Sequence, residues 1–277
     1  MDFAQSPKYT AEKTLSPQSA RFGEGSKAGQ WIWLLVSLLV GIGGWYVIPL
    51  WWKLPAFILP PPQLVFDRLV RTLTDGTLFR HTVVTLGEVL IGLGLGVAVA
   101  TVLGYLLAKA PQVERFLAPY IVASQSVPVV ALAPLLVIWF GPGLLSKVLI
   151  CALIVFFPVL VNIVVGLRSV SKDLRDLMRS LRATRWQTLI HLEIPAALPV
   201  LLGGLRIGAT LSVIGAVVGE YVGADRGLGF LINVGRGQYD TALVFVAIFA
   251  LVTMALTLYG IVVMFENRLL AWHRTDR

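Results

Sequence analysis

Long apolar runs separated by short charged segments dominate the chain. A helix needs about 20 residues to cross a bilayer. Six runs reach that length, at about 31–52, 82–108, 116–140, 144–167, 194–218 and 242–265. The predicted fold class is therefore all-α: a polytopic membrane protein with six transmembrane helices. Trp31, Trp33, Trp45, Trp51 and Trp52 fall near the ends of the first run, where the membrane interface favours tryptophan. Residues 1–29 are polar and lack periodicity, so a disordered tail is expected there, followed by a single transmembrane domain over 30–277. Between the first two runs Pro60, Pro61 and Pro62 stop any helix. Leu64, Leu69 and Leu73 then alternate with Asp67, Arg68 and Arg71, as in an amphipathic helix lying in the interface.

The pattern inside the runs is informative too. In the second, Gly92, Gly96, Ala100, Gly104 and Ala108 recur every four residues. In the fifth, Gly204, Gly208, Ser212 and Ala216 do the same. Such small-residue ridges let another helix approach closely. The third run contains Pro119, Pro128 and Pro134. Prolines free backbone carbonyls, so this helix must be buried in protein or border water.

Composition supports the membrane reading. Charged residues make up 14% of the chain, against about 25% in soluble domains. The net charge of +8 would suggest nucleic acid in a soluble protein. Here the cations flank apolar runs, so they are read as membrane topology signals and no nucleic-acid partner is expected. With both termini in the cytoplasm, 15 of the 23 Lys and Arg fall on the inner side. The positive-inside rule selects that orientation in the plasma (inner) membrane. Cys151, the only cysteine, lies inside an apolar run and reads as a small core residue. No Cys/His spacing suits a metal, and no G-x-x-x-x-G-K-[ST] phosphate loop occurs. Neither a cofactor nor an ATPase activity in this chain is expected.

The segment over about 168–194 is the charged exception between the fourth and fifth runs. Leu174, Leu177 and Leu181 fall on one helical face and Arg175, Arg179 and Arg182 on another. Trp186, Leu189 and Leu192 extend the apolar stripe. A short helix of this kind suits a groove on a partner protein. It equally suits a bed of anionic lipid headgroups.

This loop resembles the EAA loop of ABC importer permeases, the inner-membrane subunits of binding-protein-dependent systems. Asp176, Leu177 and Met178 occupy the E-A-A positions, Arg182 the glycine position, and Leu192, Ile194 and Pro195 the closing I-x-L-P. Ala196 to Pro199, Gly204-Leu205-Arg206, Val218-Gly219-Glu220 and Gly227-Leu228-Gly229 also match. So do Pro134-Leu135 and Trp139-Phe140-Gly141 earlier in the chain. The likeness covers about 59–277 and is closest to the nitrate, sulfonate, taurine and bicarbonate branch. Within that branch it looks most like permeases for thiamine-type pyrimidines or riboflavin.

The resemblance implies a cytoplasmic coupling helix that seats on a separate ATP-binding-cassette ATPase. Asp176, Leu177, Met178, Leu181, Arg182, Trp186 and Pro195 are then the coupling residues. It further implies an extracytoplasmic solute-binding protein, a second copy of the chain, and a vitamin or vitamin precursor as solute. Arg182 departs from the pattern, because a glycine there would permit a tight bend.

Polar residues within the runs are candidates for the pathway or for helix pairing. At 1.5 Å per residue, Arg206 lies about 16 Å into the fifth run and Glu88 about 12 Å from the outer end of the second. A charge at that depth needs a partner, so an Arg206–Glu88 ion pair is one expectation and separate partners are the other. Glu220 either gates the pathway or caps the loop holding Gly227 and Gly229, and the capping role is the simpler. Ser124, Gln125, Ser126 and Asn162 either line the pathway or bond across helices. His81, His191 and His273 sit at membrane edges and form no catalytic set. The alternative function is a secondary transporter or channel without an ATPase. It would call for several intramembrane acids and inverted repeats, and neither is evident.

Overall fold

The computed structural model describes residues 27–271. Most of the tail expected over 1–29 lies outside that range, as does His273. The described chain is helical and divides into two units at Ile48/Pro49. Helix α1 (Lys27–Trp51) supplies the described part of the first unit.

The second unit opens with α2 (Pro62–Thr74). It begins behind the proline run because a proline in the first turn gives up no helical hydrogen bond. Its amphipathic pattern is as expected, with Val65 and Thr72 buried on one face. Then come α3 (Thr77–Lys109), α4 (Pro111–Gln125), α5 (Val129–Phe140) and α6 (Leu144–Arg168). The charged loop forms α7 (Lys172–Ser180), α8 (Arg185–Thr188) and a π-helical turn (Leu189–Glu193). Three helices close the chain: α9 (Ile194–Gly223), α10 (Leu228–Gly237) and α11 (Thr241–Leu269).

Among the described residues, four helical runs are long and apolar enough to cross a membrane: α3, α6, the continuous run Arg185–Gly223, and α11. The third expected span is not one helix. It breaks between α4 and α5 with a 90° bend, at Pro128, whose ring cannot continue the preceding helix. Counted as one span, that bent pair would bring the number to five. The apolar stretch Leu35–Trp51 of α1 is shorter than a full crossing. Helix α10 is not among the expected elements, because Gly227 and Gly229 read as a loop.

Both glycine ridges pack on one helix, α6. A Cβ on Gly92 would overlap the Cys151 side chain, and one on Gly96 would come within 2.8 Å of the Ala152 carbonyl. From the other side, a Cβ on Gly215 would lie 2.7 Å from Cys151 Cα. One on Gly208 would lie 3.2 Å from Val155. Cys151 and Val155 are fully buried between α3 and α9. The contact is a close helix approach of the kind small residues permit. Gly215→Ala should therefore lower stability by about 1–3 kcal/mol through overpacking. Gly237→Ala should leave it unchanged, since nothing lies within 4 Å of that Cβ. Thermal unfolding in detergent compares the two.

Candidate functional site

The charged loop begins with Ser171, whose side chain accepts the Leu174 N–H as an N-cap. Helix α7 buries none of its residues. Leu174, Leu177 and Leu181 are 45%, 53% and 68% exposed, and Trp186 on α8 is 68% exposed. Arg175 turns the other way: its Nη2 donates to the Leu167 carbonyl at the end of α6, at 2.6 Å. The helix thus holds the protein with an arginine and presents its leucines outward, the reverse of an ordinary surface helix. Asp176 makes only an exposed pair with Arg179 at 3.1 Å.

The departure at the glycine position is accommodated in the backbone. Arg182 adopts φ +51°, the left-handed conformation. Its N–H bonds to the Arg179 carbonyl at 2.9 Å, and the Ala183 N–H to that of Met178 at 3.0 Å. This is the Schellman ending that glycine usually makes. The bend is retained, at a cost of about 1–3 kcal/mol for a side chain in that region. Thr184 and Gln187 then form a reciprocal capping box that starts α8. The π turn follows at Leu189–Glu193. Pro195 supplies no N–H to the His191 carbonyl four residues back, which favours the wider turn.

A second polar cluster lies at the opposite end of the bundle. Lys147 Nζ is 3.1 Å from Glu88 Oε1, with side chains 6% and 1% exposed. Beside it, Glu220 accepts the Thr85 hydroxyl at 2.6 Å and the Gly229 N–H at 2.5 Å. The Leu228 N–H donates to Thr85 Oγ1 at 2.8 Å, and the Gly227 N–H to His81 Nδ1 at 2.9 Å. The carboxylate of Glu220 therefore faces the N-terminus of α10, where the helix dipole favours a negative charge. Gly227 has φ +113° and no space for a Cβ against Glu220, so only glycine fits. Glu220 thus bonds the loop at Gly229, the contact that a loop cap makes.

The expected Arg206–Glu88 pair is not formed. Glu88 pairs with Lys147, while Arg206 pairs with Glu266 on α11 and lies over the Tyr259 ring at 5.5 Å. The reason is angular. Gly204 and Gly208 turn one face of α9 to α6, and Arg206, two residues on from Gly204, points about 200° away. Glu88 shares a face with Gly92 and Gly96, toward α6. The signal for Lys147 was present in the sequence: Lys147, Cys151, Val155 and Val159 repeat every four residues on one buried face.

The remaining pathway candidates separate. Asn162 Nδ2 donates to the Pro158 carbonyl at 2.8 Å and packs against Gly204, which ties it to helix packing. Gln125 ends α4 at the 90° bend. With Ser124, Phe157 and Pro158 it borders a recess of about 190 Å³. Lys109, Arg175 and Glu193, none of them a candidate site residue from the sequence, meet at the loop end of the bundle.

The model of the binding-protein-dependent transport system inner membrane component matches residues 93–271. The chain belongs to that family. This permease is 49% identical over 218 residues to the riboflavin transport system permease protein RibX of Chloroflexus aurantiacus, covering 79% of this chain and 81% of that one. It is 38% identical over 218 residues to the formylaminopyrimidine transport permease protein ThiX of Halalkalibacterium halodurans, covering 79% and 87%. Among solved structures, a chain of the methionine ABC transporter MetNI superposes with a TM-score of 0.60 at 19% identity, covering 71% of this chain and 97% of that one. The last likeness concerns the fold. The chain is thus a multi-pass, all-α permease subunit of an ABC importer in the inner membrane, a transport subunit by family. The coarse function that the loop motifs suggested is the family's.

Proposed function

We propose that this permease carries riboflavin, or a closely related vitamin precursor such as a thiamine-type pyrimidine, into the cytoplasm. It works as a homodimer with both termini in the cytoplasm. A cytoplasmic ABC ATPase seats on Leu174, Leu177, Leu181 and Trp186, and an extracytoplasmic binding protein delivers the solute. The observation that carries the docking part is the outward leucine face of α7, held from behind by Arg175. The solute assignment is supported by the 49% identity to a riboflavin permease.

The decisive experiment uses proteoliposomes containing the permease, a candidate ATPase and a riboflavin-binding protein. ATP-dependent uptake of labelled riboflavin, with taurine and formylaminopyrimidine as comparisons, is the expected outcome. Uptake of formylaminopyrimidine alone moves the solute to the pyrimidine class. Uptake driven by an ion gradient without ATP overturns the ATPase-dependent reading in favour of a secondary transporter.

A further inference from the structure

Glu193 is 2% exposed, although it belongs to the charged loop rather than to a membrane helix. Its carboxylate receives Lys109 Nζ, from the end of α3, on both oxygens at 2.6 and 2.7 Å. Arg175 of α7 approaches the same Oε1 with its Nε at 4.0 Å. That Nε is buried and makes no hydrogen bond. The gap exceeds a normal N–H···O bond by about 1 Å. The Arg175 Nη2 bond to Leu167 keeps the guanidinium aimed at the site while leaving Nε open.

Three elements therefore converge on one carboxylate: α3 through Lys109, the π turn that leads into α9 through Glu193 itself, and α7 through Arg175. Two cations compete for Oε1. A shift of α7 by about 1 Å would convert the Arg175 contact into a charge-assisted hydrogen bond and loosen the hold of Lys109. In either arrangement Glu193 keeps a cation, so the buried carboxylate is never left uncompensated, which would be costly. Two discrete arrangements of similar energy are what a mechanical relay requires. The π turn beneath Glu193 adds local adaptability, and such turns recur at functional sites.

We propose that Glu193 is the positioning residue through which displacement of α7 reaches α3 and α9. This rests on the ATPase-docking reading of α7. When the ATPase moves α7, Arg175 takes over Oε1, and the ends of α3 and α9 change their separation.

The test uses the full chain in nanodiscs with the ATPase that co-purifies with it, spin-labelled at Gly237→Cys. No atom crowds that position, and Cys151 is buried and takes no label. The inter-chain distance is measured by pulsed EPR with and without ATP and vanadate, beside the rate of ATP hydrolysis. In the otherwise unchanged protein, ATP shifts the distance. Glu193→Gln should retain the bound ATPase and hydrolysis within about twofold, yet shrink the distance change by about half or more. Lys109→Gln leaves Arg175 as the sole cation at Oε1 in every state and leaves its anchor on α7 intact, so it should uncouple in the same way, and a folding defect in the first variant does not hide the result. Lys109→Arg restores the competing charge and should recover part of the change. A full distance change in Glu193→Gln and Lys109→Gln sinks the relay and leaves docking standing. Loss of the ATPase from either variant also sinks it, since the residues then serve docking. If no ATPase co-purifies with the unmodified chain, the docking reading fails and the relay falls with it.

Discussion

Lys147→Met should be among the most damaging single replacements in this protein, lowering stability by about 3–5 kcal/mol because it leaves the buried Glu88 carboxyl without its cation. The pair is sealed between α3 and α6, with side chains 6% and 1% exposed. Among the described residues Glu88 Oε2 lacks a hydrogen-bond partner, so the Lys147 salt bridge is the main compensation for that carboxylate. Glu88→Gln should cost a similar amount by stranding the ammonium. The double variant, Glu88→Gln with Lys147→Met, removes both charges and should recover most of the loss, since a buried ion pair adds little over a neutral one of similar shape. Thermal unfolding of the detergent-purified chain, run as a double-mutant cycle, measures the coupling directly. A near-additive double variant would mean that the two groups are solvated independently.

The second large effect is expected at the other end of the bundle. Leu177→Asp combined with Leu181→Asp should reduce co-purification of the ATPase by more than about tenfold, the loss expected when apolar anchors at the centre of an interface are replaced by charge. Both side chains are more than half exposed in the isolated chain, so the fold should barely notice: surface changes of this kind usually stay within about 0.5 kcal/mol. Unchanged melting with lost ATPase is thus the expected combination. If the ATPase is retained, the leucine face rests on lipid headgroups and the partner binds elsewhere. Arg182→Gly is a useful companion, because it relieves the left-handed strain without touching the leucines. It separates the shape of the turn from the chemistry of the face.

Much of this fold was legible in the sequence for physical reasons. Apolar length marks membrane helices because the bilayer has a fixed thickness, and α3, α6, α9 and α11 stand where the runs place them. The glycine ridges announced close packing, and they found α6. What periodicity did not carry was direction. A repeat of four shows that Glu88 and Gly92 share a face but not which helix they meet, so Glu88 was matched by depth with Arg206 when its partner was Lys147. The break at Pro128 was half legible: the prolines were noted, but a 90° bend depends on what packs beside it. Helix α10 was missed because its glycines suggest a loop. Gly229 is needed instead for the close approach to Glu220, and Gly235 for that to Asp240 and Val244.

The seating of α6 between two glycine ridges also bears on how the permease moves. Gly92 meets the small Cys151 side chain and Gly215 the Cys151 backbone, with little side chain between to deform. Helices in such contact cannot slide without first separating, and densely packed interfaces switch between discrete arrangements rather than yielding gradually. Away from their ends at Lys109 and Glu193, α3, α6 and α9 should therefore travel as one rigid wall. The hinge of any alternating motion then falls at the edges of that wall, and the joint between α4 and α5, already bent and bordered by Gln125, is where the door would hang.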